Sequence, residues 1–203
     1  KWYEKAAVQG NIIAANNLAL LYKEGQGVAQ DYGKAREWLE KAAAQGDAAA
    51  QYNLGQLYYH GQGVVQDYGE ARERWEKAAT LGSSYAQYSL GFLYYNGQGV
   101  AQDYSKAQQW YELAALQGEA TAQNSLATLY YEGKGVAQDY DKARQWWEKA
   151  AIQGHGDAQF NLGALYYNGN GVPQDIGKAR EYFAKAAAQG DEAAKEALQK
   201  LGK

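Results

Sequence analysis

Apolar residues recur along this chain in two alternating helical stripes, separated by short glycine-bearing breaks. In residues 47–82, Ala50, Leu54, Leu57 and Tyr58 follow at spacings of four, three and one, which puts them on one face of a helix. Asp47 precedes the stripe and is placed to cap it, because a short carboxylate accepts bonds from the unpaired N–H groups of a first turn. Gly61 and Gly63 end this helix, since glycine tolerates positive φ. Val64 is the apolar residue of the break and is expected to plug the gap between helices. Asp67 then caps a second helix, whose stripe is Ala71, Trp75, Ala78 and Ala79 and whose stop is Gly82.

These columns return every 36 residues. Gly-x-Gly-Val stands at Gly25–Val28, Gly61–Val64, Gly97–Val100, Gly133–Val136 and Gly169–Val172, and a Gln-Asp pair follows each time. A fixed period in this range marks a solenoid, in which one supersecondary unit stacks on its own copies. The expected fold is all-α, a right-handed α/α superhelical solenoid of 36-residue helix-turn-helix repeats. One such solenoid is expected over 1–203. Residues 1–10 end a preceding repeat, five full repeats occupy 11–46, 47–82, 83–118, 119–154 and 155–190, and 191–203 form a C-terminal capping helix. Its Glu192, Lys195, Glu196 and Lys200 give the polar end that solenoids need for solubility. The first seven residues match Glu37–Ala43, so the chain starts within a repeat and its native protein is expected to extend further.

Two columns hold small residues: Ala19, Gly55, Gly91, Ala127 and Gly163 on first helices, and Ala35, Ala71, Ala107, Ala143 and Ala179 on second helices. Small side chains let helices approach closely. The residues Ala50, Leu54, Gly55, Tyr58, Gly61, Gly63, Val64, Asp67, Ala71, Trp75, Lys77, Ala78, Ala79 and Gly82 together resemble the Sel1-like repeat family, and the resemblance covers essentially the whole chain. It implies a fold similar to tetratricopeptide repeats. For function it implies adaptor or scaffold roles in assembly, quality control and signalling, and in bacteria also host contact and immunity to toxins. Cysteine-rich members linked to β-lactam binding carry a cysteine pair in each repeat, whereas this chain has no cysteine.

Charge and composition narrow the function classes. A net charge of −3 argues against a surface that tracks nucleic-acid phosphates. No apolar stretch approaches the roughly 20 residues needed to cross a bilayer, and no signal peptide is visible. With the resemblance, these features point to a soluble protein of the bacterial cytoplasm or periplasm. No catalytic chemistry, metal or cofactor is expected. Gly61-Gln62-Gly63 lacks the third glycine and the strand of a phosphate loop, and reads as a helix stop. His60 and His155 are the only histidines, and no His-Glu-x-x-His occurs. His155, between Gly154 and Gly156, reads as an exposed turn residue. The Trp column (Trp2, Trp38, Trp110, Trp146) reads as outer-wall packing on second helices.

The remaining signal lies opposite the core stripe of the first helices. Positions 49, 52, 53, 56, 59 and 60 of each repeat point away from the core at 100° per residue. They carry Tyr52, Asn53, Tyr59, His60, Tyr85, Tyr88, Phe92, Tyr95, Asn96, Tyr131, Phe160 and Tyr167, which are the candidate binding residues. Tyrosine brings contact area at low entropy cost, and asparagine bonds a peptide backbone. In the resembled fold this face is concave, so the expected partner is a protein or peptide, with a small-molecule substrate disfavoured. A glycan or cell-wall fragment is the alternative, because tyrosine faces also hold sugar rings. The near-invariant column Tyr59, Tyr95, Tyr131 and Tyr167 is weighed first as packing between repeats, and the variable columns first as binding positions. Tyr85, Tyr88, Phe92 and Tyr95 fall in one repeat and mark the expected hot spot.

Overall fold

The computed structural model describes residues 2–202, so that Lys1 and Lys203, the two ends of the expected solenoid, lie outside the described residues. Twelve α-helices and no strands occur among the described residues. The second-type helices are α1 (Trp2–Val8), α3 (Tyr32–Ala43), α5 (Tyr68–Thr80), α7 (Tyr104–Leu116), α9 (Tyr140–Ile152) and α11 (Ile176–Ala188). The first-type helices are α2 (Ile12–Glu24), α4 (Ala48–His60), α6 (Ser84–Asn96), α8 (Ala120–Glu132), α10 (Gly156–Asn168) and α12 (Glu192–Leu201). They fall into two compact units, α1 to α6 through Gln102 and α7 to α12 from Asp103. Within each unit every helix packs against its neighbours in sequence, as a stack of helical hairpins requires. No helix among the described residues is long and apolar enough to cross a membrane.

The helix ends follow the sequence closely. Asp31, Asp67, Asp103, Asp139 and Asp175 each cap a second helix, accepting a backbone N–H from three residues on. At Asp31 the bond from Lys34 N–H holds the carboxyl below the usual carboxylate range. The caps of first helices are chemically mixed: Asn11, Asp47, Ser83, Glu119, His155 and Asp191. His155 is therefore not a free turn residue. It is half-buried, and its Nδ1 accepts from Ala158 N–H at 3.4 Å. The Gln before each capping Asp, to which the sequence pattern assigns no role, ties the hairpin together. The Nε2 groups of Gln66, Gln102, Gln138 and Gln174 donate to the carbonyls of Tyr59, Tyr95, Tyr131 and Tyr167 at 2.7–2.8 Å. These bonds satisfy carbonyls that a helix C-terminus leaves open.

Leu54, Leu57, Leu90, Leu93, Leu126, Leu129, Leu162 and Leu165 are fully buried with the alanines of both stripes. Each buried leucine contributes about 1.5–3 kcal/mol. The tyrosine column expected beside them is less buried. Tyr22, Tyr58, Tyr94 and Tyr130 are half-buried, and only Tyr166 falls in the core. These rings lie at the hairpin edge, where Lys34, Lys142 and Lys178 of the second helices cover Tyr22, Tyr130 and Tyr166 at 4.9–5.3 Å. Val64 is half-buried, a partial plug. On the second helices Trp38, Trp110 and Trp146 are half-buried, and Lys41 and Lys149 lie over Trp38 and Trp146 at 4.1 and 3.7 Å. Trp2, at the start of α1, is exposed.

From Gly63 on, the second glycine of the break registers one repeat on the next, whereas Gly27 has open space around it. A Cβ on Gly63 would lie 2.5 Å from Tyr32 Cβ, and one on Gly99 would lie 2.4 Å from Tyr68 Cβ. Both glycines also have positive φ. Gly82 has positive φ but open space around it. Gly82→Ala is expected to cost only the left-handed strain, about 1–2 kcal/mol, while Gly63→Ala costs measurably more because Tyr32 must also move. Denaturant melts of the two variants check this, and equal losses contradict the registering role.

A buried glutamine column, absent from the sequence-derived core, runs along the first helices. Gln51, Gln123 and Gln159 donate to the carbonyls of Ala43, Ala115 and Ala151. Gln153 and Gln189 then donate to the Oε1 atoms of Gln123 and Gln159 at 2.9 and 2.8 Å. Leu81 stands at the equivalent position opposite Gln51, whose buried Oε1 has no partner. Leu81 is also half-exposed, so little burial is lost by replacing it. Leu81→Gln is expected to supply the missing donor and raise stability by about 0.5–1.5 kcal/mol. An unchanged or lowered melting midpoint contradicts this reading of the column.

Candidate functional site

The candidate residues of the first unit lie on α4 and α6, at positions turned away from the leucine stripe. Between these two helices is a depression of about 340 Å³, lined by Gln56, Tyr59, His60, Trp75, Tyr88, Ser89 and Phe92. Four of the predicted site residues, Tyr59, His60, Tyr88 and Phe92, thus meet at one place. Its floor is Trp75, a second-helix residue only 2% exposed. Trp75 reaches this position because Gly55 lacks a side chain. A Cβ there would lie 2.3 Å from Trp75 Nε1. The indole N–H instead donates to Tyr52 carbonyl at 3.1 Å.

The other candidates surround this depression or lie apart from it. Tyr52 stacks near Trp75, with ring centroids 6.5 Å apart, and meets exposed Tyr85 at 5.9 Å. The Tyr52 hydroxyl accepts from Gln56 Nε2. Asn53 and Tyr95 are half-buried and do not line the depression. Asn96 is exposed, but its amide turns back to donate to Phe92 carbonyl at 2.9 Å, so it is spent on its own helix end.

Column 59 is a tie between repeats as well as a wall. Tyr59 packs on Trp75 and Tyr68 at 5.4 and 5.3 Å, and its hydroxyl donates to Gln98 Oε1 at 2.9 Å in the next break. Tyr131 does the same in the second unit, lying 5.3 Å from Trp147 and accepting from Asn170 Nδ2 at 2.6 Å. That shared geometry explains its near-invariance.

Phe160 and Tyr167 are brought together in the second unit, in a depression of about 400 Å³ that also meets Phe183, Glu196, Lys200 and Leu201. Phe160 lies 5.5 Å from Phe183, and a Cβ on Gly163 would lie 2.6 Å from Phe183. The construction repeats the first unit's: Phe160, Tyr167, Gly163 and Phe183 occupy the repeat positions of Tyr52, Tyr59, Gly55 and Trp75. The list of candidates drawn from the sequence omits Gln56, Trp75 and Ser89. The signal for Trp75 was the pairing of a large residue with a glycine in the facing small-residue column. Ser89 carried no such mark. No cluster of three or more His, Cys, Asp or Glu placed to hold a metal occurs among the described residues.

The model of the Sel1 repeat matches residues 1–11, 12–47, 48–83, 84–119, 120–155 and 156–191, the same period one residue later in frame. No curated protein matches the chain. Among solved structures, the chain is similar to the c5321 protective antigen of uropathogenic Escherichia coli strains, described as displaying an SLR fold. The two are 40% identical with a TM-score of 0.92, over 97% of this chain and 42% of that one. The chain thus spans less than half the length of that protein. It is also similar to a Sel1 repeat protein of Oxalobacter formigenes, at 37% identity and a TM-score of 0.86, over 91% of this chain and 76% of that one. A Pseudomonas aeruginosa immunity protein, Pa5087, is 26% identical with a TM-score of 0.59, over 92% of this chain and 71% of that one. Sel1 repeat proteins are generally non-catalytic protein-interaction scaffolds. With repeat matches along nearly its whole length and two bacterial neighbours above one-third identity, the chain belongs to the Sel1 repeat family.

Proposed function

We propose that this protein binds a peptide or an extended segment of a protein partner on its first-helix face, without chemical turnover, and that the α4–α6 depression anchors that ligand. The carrying observation is an aromatic-walled recess opened between successive repeats, with Trp75 as its floor. Aromatic anchors in desolvated recesses dominate binding energy at protein interfaces. The same columns build a second recess in the other unit, as a scaffold that meets a ligand repeat by repeat would require. No Asp or Glu lines the first recess, which favours a peptide over a glycan, since sugar sites pair aromatic faces with carboxylates. The likeness to an immunity protein supports a toxin-neutralising variant of this role. The family's scaffold character and the absence of an acid–base pair around the recess support binding rather than catalysis.

The test is to select linear peptides from a displayed library on the folded protein and titrate the best binder by calorimetry. Tyr88→Ala and Phe92→Ala are each expected to weaken binding about thirtyfold, roughly 2 kcal/mol, with helix content unchanged. Arg72→Ala serves as the control, since Arg72 lies on α5 and pairs with Glu76 at 3.6 Å. If that control loses binding while Tyr88→Ala and Phe92→Ala retain it, the partner sits on the second helices and the proposal fails. Binding of cell-wall fragments at Tyr88 and Phe92, with no peptide recovered, replaces it with the glycan reading.

A further inference from the structure

Resting on that reading, we infer that the α4–α6 recess receives an arginine side chain of the ligand, with its guanidinium laid against the aromatic walls. Tyr59, Trp75, Tyr88 and Phe92 line the recess beside Gln56, His60 and Ser89. The face of a tyrosine, tryptophan or phenylalanine ring attracts a cation through its quadrupole. This chain uses that attraction elsewhere on its surface. Lys149 and Lys185 lie over Trp146 and Tyr182 at 3.7 and 5.1 Å, and Lys34 lies over Tyr22 at 5.3 Å. No lysine or arginine of the chain lines the recess. The second unit's recess, built from the same columns, supplies the comparison. Lys200 and Glu196 line it with Phe160, Tyr167 and Phe183, in the repeat positions of Phe92 and Tyr88. There the chain places its own ammonium beside the rings. In the first unit that cation is left to the ligand.

The polar groups of the recess call for a donor. Gln56 donates its Nε2 to the Tyr52 hydroxyl, which leaves it a carbonyl oxygen to offer a ligand. Tyr59 donates its hydroxyl proton to Gln98 Oε1, which leaves its own oxygen an acceptor. A guanidinium only donates, through five N–H groups in one plane. An aliphatic side chain would close over these oxygens and give them nothing. Arginine also suits the recess better than lysine. No carboxylate lines it, so an incoming cation gains no ion pair there to offset its lost hydration. A guanidinium is less strongly hydrated than an ammonium, and its flat face stacks on rings. The net charge of −3 draws a basic ligand toward the chain from a distance. His60 sets a condition. It is exposed, with its ring edge-on to Tyr59 at 4.8 Å, and an imidazolium there would repel the guanidinium.

The test is a titration of the full chain with N-acetyl-argininamide, N-acetyl-citrullinamide and N-acetyl-phenylalaninamide, followed by amide and indole NMR shifts. It is run at about pH 8, where histidine side chains are uncharged. Citrulline keeps the length and planar end of arginine but carries no charge. The arginine probe is expected to shift Gln56, Tyr59, Trp75 and Phe92 and to bind at least about threefold tighter than the citrulline probe, as an exposed cation–π contact allows. His60→Lys and Phe92→Lys each set an ammonium at the recess, the second as Lys200 does in the other unit. Both are expected to bring the arginine probe down to the citrulline level. Equal binding of arginine and citrulline, tighter binding of phenylalanine, or an arginine preference undiminished in both variants overturns the arginine assignment. Shifts confined to other residues, or none, overturn it as well. The library-selected peptide then separates the two ideas: its dependence on Tyr88 and Phe92, whatever side chains it carries, preserves the wider reading, and loss of that dependence removes both.

Discussion

The close approach of Trp75 to the backbone at Gly55 is the contact on which the aromatic recess of the first unit depends. The Trp75 indole lies directly on the backbone at Gly55, and that approach leaves no room for a Cβ. With Trp75 in place, its N–H is satisfied by Tyr52 carbonyl, its ring supports Tyr59, and the space above it becomes the recess. The fourth repeat shows the alternative. Ala127 stands in the small column there, and Trp147 Nε1 is buried without a partner. The carbonyl of Asn124, equivalent to that of Tyr52, takes the Thr128 hydroxyl instead. The indole that faces glycine is hydrogen-bonded, and the one that faces alanine, beside a threonine that takes the carbonyl, is not.

Around this contact the repeat is held at fixed length by polar devices. The capping aspartates start each second helix, and the glutamines beside them close each first helix. From Gly63 on, the second glycine of the break lets the loop rest against the preceding repeat. Their constancy leaves the first-helix face free to vary, because none of these bonds uses its side chains except through column 59. Tyr59 is both a tie and a wall of the recess, so repeat stacking and the shape of the recess share one residue.

Helices, breaks and caps were readable from the chain because each rests on local chemistry repeated five times. The asymmetric details were not. The glutamine column reads as polar and solvent-facing until its neighbours across the repeat boundary are known. His155 reads as a turn residue because a histidine cap is uncommon, although it occupies the position of Asp47. Asn96 looks available from its spacing, yet it bonds its own helix end. Tyr59, His60, Tyr88 and Phe92, which line one depression, were legible as a face because aromatic residues opposite a core stripe stand out by pattern alone.

The most direct test of the account is Gly55→Ala. Repeats one and four carry alanine at this position, opposite Leu39 and Trp147, so the fold accommodates the methyl. The account predicts a folded protein of unchanged helix content in which Trp75 is displaced and a library-selected peptide binds at least about tenfold more weakly, roughly 1.4 kcal/mol. Wild-type affinity in that variant, with Trp75 shown to have moved, would contradict the claim that this floor makes the binding site.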